Sequence, residues 1–159
     1  MYLQVFDDSE AELVANLAIN LLREKSAIKI ISLVAIDNKS IIGHVAFSPV
    51  LLESSNEHFS YILAPLAVLP THQKKGIGTT IVKSGLDTIF SLGAFIVFVY
   101  GDPQYYSRFG FKTELAQNFT PPHMLKYPEG WQAMKLNSTV VPGDGKLKCI
   151  NLLDNPKLW

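Results

Sequence analysis

The chain has one cysteine, Cys149, in 159 residues, and no excess of either charge: fourteen basic residues face fourteen acidic ones. A lone thiol excludes an internal disulfide and a zinc site built on cysteines, and no metal site is expected. Charge balance removes the basic footprint typical of nucleic-acid binders, so no nucleic-acid partner is expected. No apolar run approaches the roughly 18 residues of a membrane span, so no membrane partner is expected either. The opening Met1-Tyr2-Leu3-Gln4-Val5-Phe6-Asp7-Asp8 lacks a basic stretch and meets acid at once, which argues against a secretory leader. Internal repeats, linkers and low-complexity tracts are missing too. What remains is 48% hydrophobic and 11% aromatic, an ordinary globular composition. Its length suits one domain with one sizeable core. A soluble protein of a reducing compartment, the cytoplasm, is the expectation.

Ser9-Glu10-Ala11-Glu12 has the form of a capping box, and Leu13, Val14, Leu17, Leu21 and Leu22 recur at helical spacing. A helix from about Glu10 to Glu24 follows. Lys29 to Ile36 and Ser40 to Phe47 read as strands of an antiparallel hairpin around Asp37-Asn38-Lys39. After a polar loop at 53–57, His58 to Leu69 is extended but contains Pro65, which cannot donate a ladder hydrogen bond. A break or bulge is expected there. A second helix runs from Thr79 to Leu92 with Ile81, Val82, Gly85, Leu86, Ile89 and Phe90 as its apolar stripe and Gly93 just past its end. Phe95 to Val99 is continuously apolar, as in a strand covered on both faces. Strand, helix and strand at this spacing form a βαβ crossover. Asp102-Pro103 opens a short helix ending near Phe109-Gly110. Phe111 to Glu114, Trp131 to Leu136 and Lys146 to Ile150 are further strand candidates.

The segment Thr71-His72-Gln73-Lys74-Lys75-Gly76-Ile77-Gly78-Thr79-Thr80 lies between a strand and a helix. Glycines at a helix start let the backbone turn tightly and approach a ligand. The first helical N–H groups have no internal partner and sit at the positive dipole end, so they suit an anion, phosphate above all. The spacing fits neither a Walker A loop nor a dinucleotide fingerprint: the lysines precede the glycines, and position 81 is Ile. A tight turn with solvated lysines is the competing interpretation.

Gln73-Lys74-Lys75-Gly76-Ile77-Gly78 does match Gln/Arg-x-x-Gly-x-Gly/Ala. In this it resembles the acyl-CoA loop of the GNAT N-acyltransferase superfamily. Leu66-Ala67-Val68-Leu69-Pro70 stands where that family has its central strand. Tyr105-Tyr106-Ser107-Arg108-Phe109-Gly110-Phe111 resembles the family's aromatic-x-x-x-Gly-Phe segment. Gly101-Asp102-Pro103-Gln104-Tyr105-Tyr106 and Gly43-His44-Val45 look closest to a bacterial predicted-acetyltransferase branch. The likeness covers roughly Ile31 to Phe111. It implies an α/β fold, a central mixed sheet with splayed parallel strands and flanking helices. The helix from Glu10 to Glu24 matches the family's second, so the first strand and helix are expected to be missing or shortened. Gln117 to Trp131 and the tail after Pro142 match nothing in the family.

The resemblance implies that acetyl-CoA is the cofactor and that a small-molecule or peptide amine accepts the acetyl group by direct transfer. Backbone amides of Lys74, Lys75, Gly76, Ile77, Gly78 and Thr79 would take the pyrophosphate, with Gln73 shaping the turn. Leu66, Ala67 and Val68 would contact the pantetheine arm, and an N–H near Val68 would polarise the thioester carbonyl. Tyr106 would be the general acid for the leaving thiolate, Tyr105 the alternative by register. A packing tyrosine in a cluster with Phe109 and Phe111 is the other reading of Tyr106. Glu53, His44, His58 and His72 are candidate bases, beside a water chain. Cys149, with no histidine near it in sequence, reads as buried and inert. Two rivals to the enzyme remain: a regulatory module that binds acyl-CoA without turnover, and a nucleotide-binding protein using the same loop. The apolar tail ending in Trp159 is expected to pack on its own core or on a second copy in a homodimer.

Overall fold

In the computed structural model, residues 1–53, 55–137 and 144–159 are described, with backbone alone for 55–59. Helix α1 spans Asp8–Leu21. Strands β1 (Ile31–Asp37), β2 (Ser40–Leu52) and β3 (Ser55–Val68) follow, then helix α2 (Ile77–Ser91) and strand β4 (Ile96–Tyr100). Two short helices, α3 (Pro103–Tyr106) and α4 (Thr113–Ala116), precede β5 (Phe119–Thr120), β6 (Trp131–Lys135) and β7 (Gly145–Cys149). The strands form one mixed sheet in the order β5-β7-β2-β3-β4-β6, with β1 also paired to β2. Asn38 and Lys39 both take positive φ, 46° and 68°, which makes the tight two-residue turn between β1 and β2.

Strand alternation sends Val45, Phe47, Leu63, Val97 and Val99 to the face covered by α2. Ala46, Ile62, Ile96 and Phe98 go to the opposite face, against Leu17 and Leu21 of α1 and the aromatic rings of Trp131 and Trp159. Strand β4 is therefore covered on both sides, as its unbroken apolar run requires. Trp159 stacks on Tyr100 at 6.2 Å and meets Trp131 edge-on at 5.8 Å, so the tail packs on its own chain.

Several expectations are corrected. The N-cap of α1 is Asp7, in extended conformation and with no side-chain cap bond, so Ser9 lies inside the helix. The helix ends at Leu21, and Leu22 is exposed. Phe90 leaves the apolar stripe of α2 and faces solvent. Phe111 to Glu114 is not a strand. Lys112 and Ala133 exchange two backbone bonds of 2.9 and 3.0 Å, and α4 begins at the next residue. Strand β2 continues through Pro49 to Leu52, and β3 starts already at Ser55, so the polar loop shrinks to a turn.

Gly85 lets α2 lie close on the sheet. A Cβ there would stand 2.0 Å from Phe47 Cε2, inside a ring that is fully buried. Gly85→Ala is expected to destabilise the fold by about 1–3 kcal/mol through overpacking, read as a lower urea midpoint. Pairing it with Phe47→Leu should recover part of that loss; an unchanged midpoint in the single variant would contradict the close contact.

Candidate active site

The defect anticipated at Pro65 is where the sheet opens. β3 pairs with β4 in parallel from Ser60↔Ile96 to Leu63↔Val99, and no pairing continues beyond Leu63. On the other side of β3, Val45 pairs with Leu66 and Phe47 with Leu63, so Ala64 and Pro65 bulge opposite Ala46. Leu69 N–H donates to Ile42 O at 2.8 Å. By strand alternation the N–H of Val68 turns to the other side, away from β2 and toward the gap beside β4.

At the mouth of this gap α2 begins. Lys74 (φ 59°) and Gly76 (φ 82°) both take the left-handed conformation, and Gly76 is the N-cap with no side-chain cap bond. The first helical bond is Thr80 N–H to Gly76 O, at 2.9 Å. The amides of Ile77, Gly78 and Thr79 precede it and are left for an external acceptor. Gln73 Nε2 donates to Val68 O at 3.0 Å, tying the loop to the strand end. A groove of about 800 Å³ joins loop and gap, lined by Leu66, Ala67, Val68, Gln73, Lys74, Gly76, Ile77, Gly78 and Thr79. Lys75 is the exception. Its Nζ turns back to donate to Thr71 O at 3.0 Å, leaving only its backbone near the loop.

The far wall is α3 and the turn after it. Asp102 caps α3 by accepting from Gln104 N–H at 2.8 Å, and Pro103 takes the first helical position. The corner is braced by Gly101 N–H to Gly130 O (3.0 Å) and by Gln132 Nε2 to Gly101 O (3.1 Å). This places Tyr105 and Tyr106 against the groove. A Cβ on Gly78 would meet Tyr105 Oη at 2.5 Å, so the phenol rests on the start of α2. Arg108 lies over the Tyr105 ring at 4.4 Å and also lines the groove, adding a cation that sequence reasoning missed.

Tyr106 is half-buried, its ring against Gly101 and edge-on to Phe111 at 5.8 Å. It belongs to the aromatic cluster and also faces the groove. Its hydroxyl makes no hydrogen bond among the described residues. Burial, then Tyr105 and Asp102, push its pKa well above the ordinary tyrosine value. The phenol keeps its proton.

A second cavity, of about 350 Å³, meets the groove at Leu66, Asp102 and Tyr106. Its walls come from α1, from Phe6, and from Leu153, Leu158 and Trp159 of the tail. Sequence reasoning missed this cavity, Asp102 and Glu10, because residues near 10, 65, 102 and 158 meet only in the folded chain. None of Glu53, His44 and His72 lies at the junction. Glu53 is exposed at the β2–β3 turn; His72 lines the groove, 3.6 Å from Asp37. The side chain of His58 lies outside the described residues. Cys149 is buried, its thiol pushed up to about 12 by burial and then by Asp154.

His44 is buried between Tyr2 Oη on Nδ1 and Ser32 Oγ, 2.7 Å from Nε2. Burial lowers its pKa below 6.5. The unfolded chain takes up a proton near that pH while the folded chain does not. Stability is therefore full above pH 6.5 and lost as the pH falls below it, toward the folded value. Denaturant midpoints measured from pH 7.5 to 5 should decline less steeply in His44→Gln; equal slopes would contradict this.

A split sheet with an open helix start at its mouth and a protonated phenol at its waist has the layout of an acyl-thioester enzyme. Residues 29–113 match the acetyltransferase (GNAT) domain, and the chain belongs to that family of N-acetyltransferases. It is 30% identical over 144 residues to the uncharacterised N-acetyltransferase YjhQ of Escherichia coli K12, covering 88% of this chain and 77% of that one. It is 39% identical over 107 residues to the uncharacterised N-acetyltransferase YhbS of the same organism, a match spanning 66% of this chain and 59% of that relative. The crystal structure of YhbS in complex with CoA superposes with a TM-score of 0.76 at 28% identity, covering 96% of this chain and 82% of that one. A GNAT acetyltransferase from Brucella melitensis in complex with acetyl-CoA gives 0.66 at 27% identity, covering 94% and 81%.

Proposed function

We propose that the groove binds acetyl-CoA and that the protein transfers its acetyl group to a primary amine by direct attack. The observation that carries this reading is the continuity of three features: the open amides of Ile77, Gly78 and Thr79, the unpaired edge of β3 at Leu66–Val68, and Tyr106 at the far end. An anion-accepting helix start alone would suit any nucleotide. A gap in the sheet behind it suits a thin arm such as pantetheine. The superposition on two CoA-bound relatives supports the same choice.

When bound, acetyl-CoA supplies a thioester whose acetyl carbon passes to the amine nitrogen while the sulfur leaves as a thiol. The residues have the following parts. Loop amides hold the diphosphate, and Lys74 and Arg108 add positive charge beside it. The N–H of Val68 donates to the thioester oxygen, where negative charge grows. Tyr106 Oη gives its proton to the departing sulfur and regains one from the nitrogen, which has shed its first proton to water before attack. Alignment of the two reactants supplies much of the remaining acceleration.

A cytoplasmic enzyme, with Cys149 reduced, fits this reading. Release of CoA thiol from acetyl-CoA in a broad panel of amines tests it. Tight acetyl-CoA binding with no thiol released for any amine would favour a regulatory module, and ATP displacing CoA would favour a nucleotide-binding protein.

A further inference from the structure

The 350 Å³ cavity beyond Tyr106 lies at the small end of ligand pockets, roughly 300–1,000 Å³. It adjoins a further cavity of about 430 Å³ at Glu10, Asp102 and Lys157, and the two together still lie within that small-ligand range. Its walls are mostly apolar: Leu13, Val14 and Leu17 of α1 face Leu153, Leu158 and Trp159 of the tail. Its charges are placed unevenly. Among the described residues, Asp102 is the one carboxylate that lines groove and cavity together, at their junction with Tyr106. Only one of its oxygens is used as the cap of α3, by Gln104. Glu10 lines the cavity from α1, and Lys157 opposes it from the tail. Including the adjoining cavity at Lys126 and Glu129, three carboxylates and two ammonium groups line this space among the described residues.

On the reading that this is an acetyl-CoA enzyme, we propose that the acceptor is a small primary amine carried on an apolar body. Its ammonium is drawn to Asp102 and Glu10, and its body fills the space between α1 and the tail. A polyamine would bring further cations against the apolar walls and toward Lys126 and Lys157, and an amino acid would bring its carboxylate, two bonds from the reacting nitrogen, beside Asp102. Both should be poor substrates.

The probes are 2-phenylethylamine, spermidine and glycine, each with acetyl-CoA. Thiol release should give 2-phenylethylamine a kcat/KM at least about tenfold above the other two. Calorimetry should detect 2-phenylethylamine binding to the CoA complex of the protein, with no turnover needed. Glu10→Gln and Asp102→Asn, which keeps a capping oxygen, should each raise its KM about tenfold, as expected for losing a charge-assisted contact. Leu13→Trp should weaken 2-phenylethylamine and leave the KM for acetyl-CoA unchanged. Spermidine or glycine turned over faster than 2-phenylethylamine would overturn this inference while the acetyltransferase reading stands. So would a preference for octanoyl-CoA over acetyl-CoA, since the cavity would then house the acyl chain. Failure of acetyl-CoA itself to bind would overturn both.

Discussion

Tyr106→Phe will lower kcat by about 10²- to 10³-fold and leave acetyl-CoA affinity within about twofold. The ring keeps its packing on Gly101 and Phe111, and the hydroxyl has no partner among the described residues to lose. The variant should therefore fold as the parent does, and the missing proton is the whole change. The pH profile adds a second test. Burial, then Tyr105 and Asp102, raise the Tyr106 pKa above that of an ordinary tyrosine, about 10. The active form is the protonated phenol, and it is lost only as pH passes the raised value. The wild-type rate should climb as the amine loses its proton and hold without a falling limb up to about pH 10. A wild-type kcat in Tyr106→Phe would contradict the assignment and turn attention to Tyr105, whose hydroxyl lies instead against Gly78.

Gly78→Val will weaken acetyl-CoA binding by about 100-fold, close to 2.7 kcal/mol. Its Cβ would stand 2.5 Å from Tyr105 Oη and 3.5 Å from Val68 Cγ2, so any side chain there crowds the groove between those two residues. It would also shield the amides at the start of α2. Gly78→Ala should give a milder loss, and adding Tyr105→Phe, which removes the crowded oxygen, should restore part of it. Gly76 is a useful contrast. Its φ of 82° is left-handed, yet nothing lies within 4 Å of a Cβ there. Gly76→Ala should act mainly on stability, by about 1–2 kcal/mol of backbone strain. Calorimetric titration with acetyl-CoA separates the two: equal losses of affinity at both positions would contradict the crowding argument.

The parts of the site legible in the sequence share a physical reason: each rests on a residue with few conformational options. Pro65 lacks an N–H, so a ladder defect had to fall near it, and β3 leaves β4 after Leu63. Gly76 and Gly78 precede an apolar stripe at helical spacing, so an open helix start was readable before the groove. Asp102-Pro103 gave cap and first turn of α3. Where several residues compete for one role, the sequence was ambiguous. Asp7, Asp8 and Ser9 can all cap a helix, and Asp7 takes the N-cap position, without a side-chain bond. Phe111 to Glu114 carries extended residues at one end and helix formers at the other, so it yields a single bridge and then α4. The acceptor cavity was not legible, since α1, β3, the Gly101–Asp102 corner and the tail bring its lining together from opposite ends of the chain. Asp102 was visible as a cap and hidden as a charge, because its second oxygen has meaning only beside Tyr106.

Crystals soaked in acetyl-CoA would show where the cofactor lies. Diphosphate density is expected on the amides between Lys74 and Thr79, with the arm running along Leu66–Val68 and the sulfur near Tyr106 Oη. Density for the nucleotide elsewhere on the molecule, or a gap between β3 and β4 that stays free of it, would rule out this mode of binding.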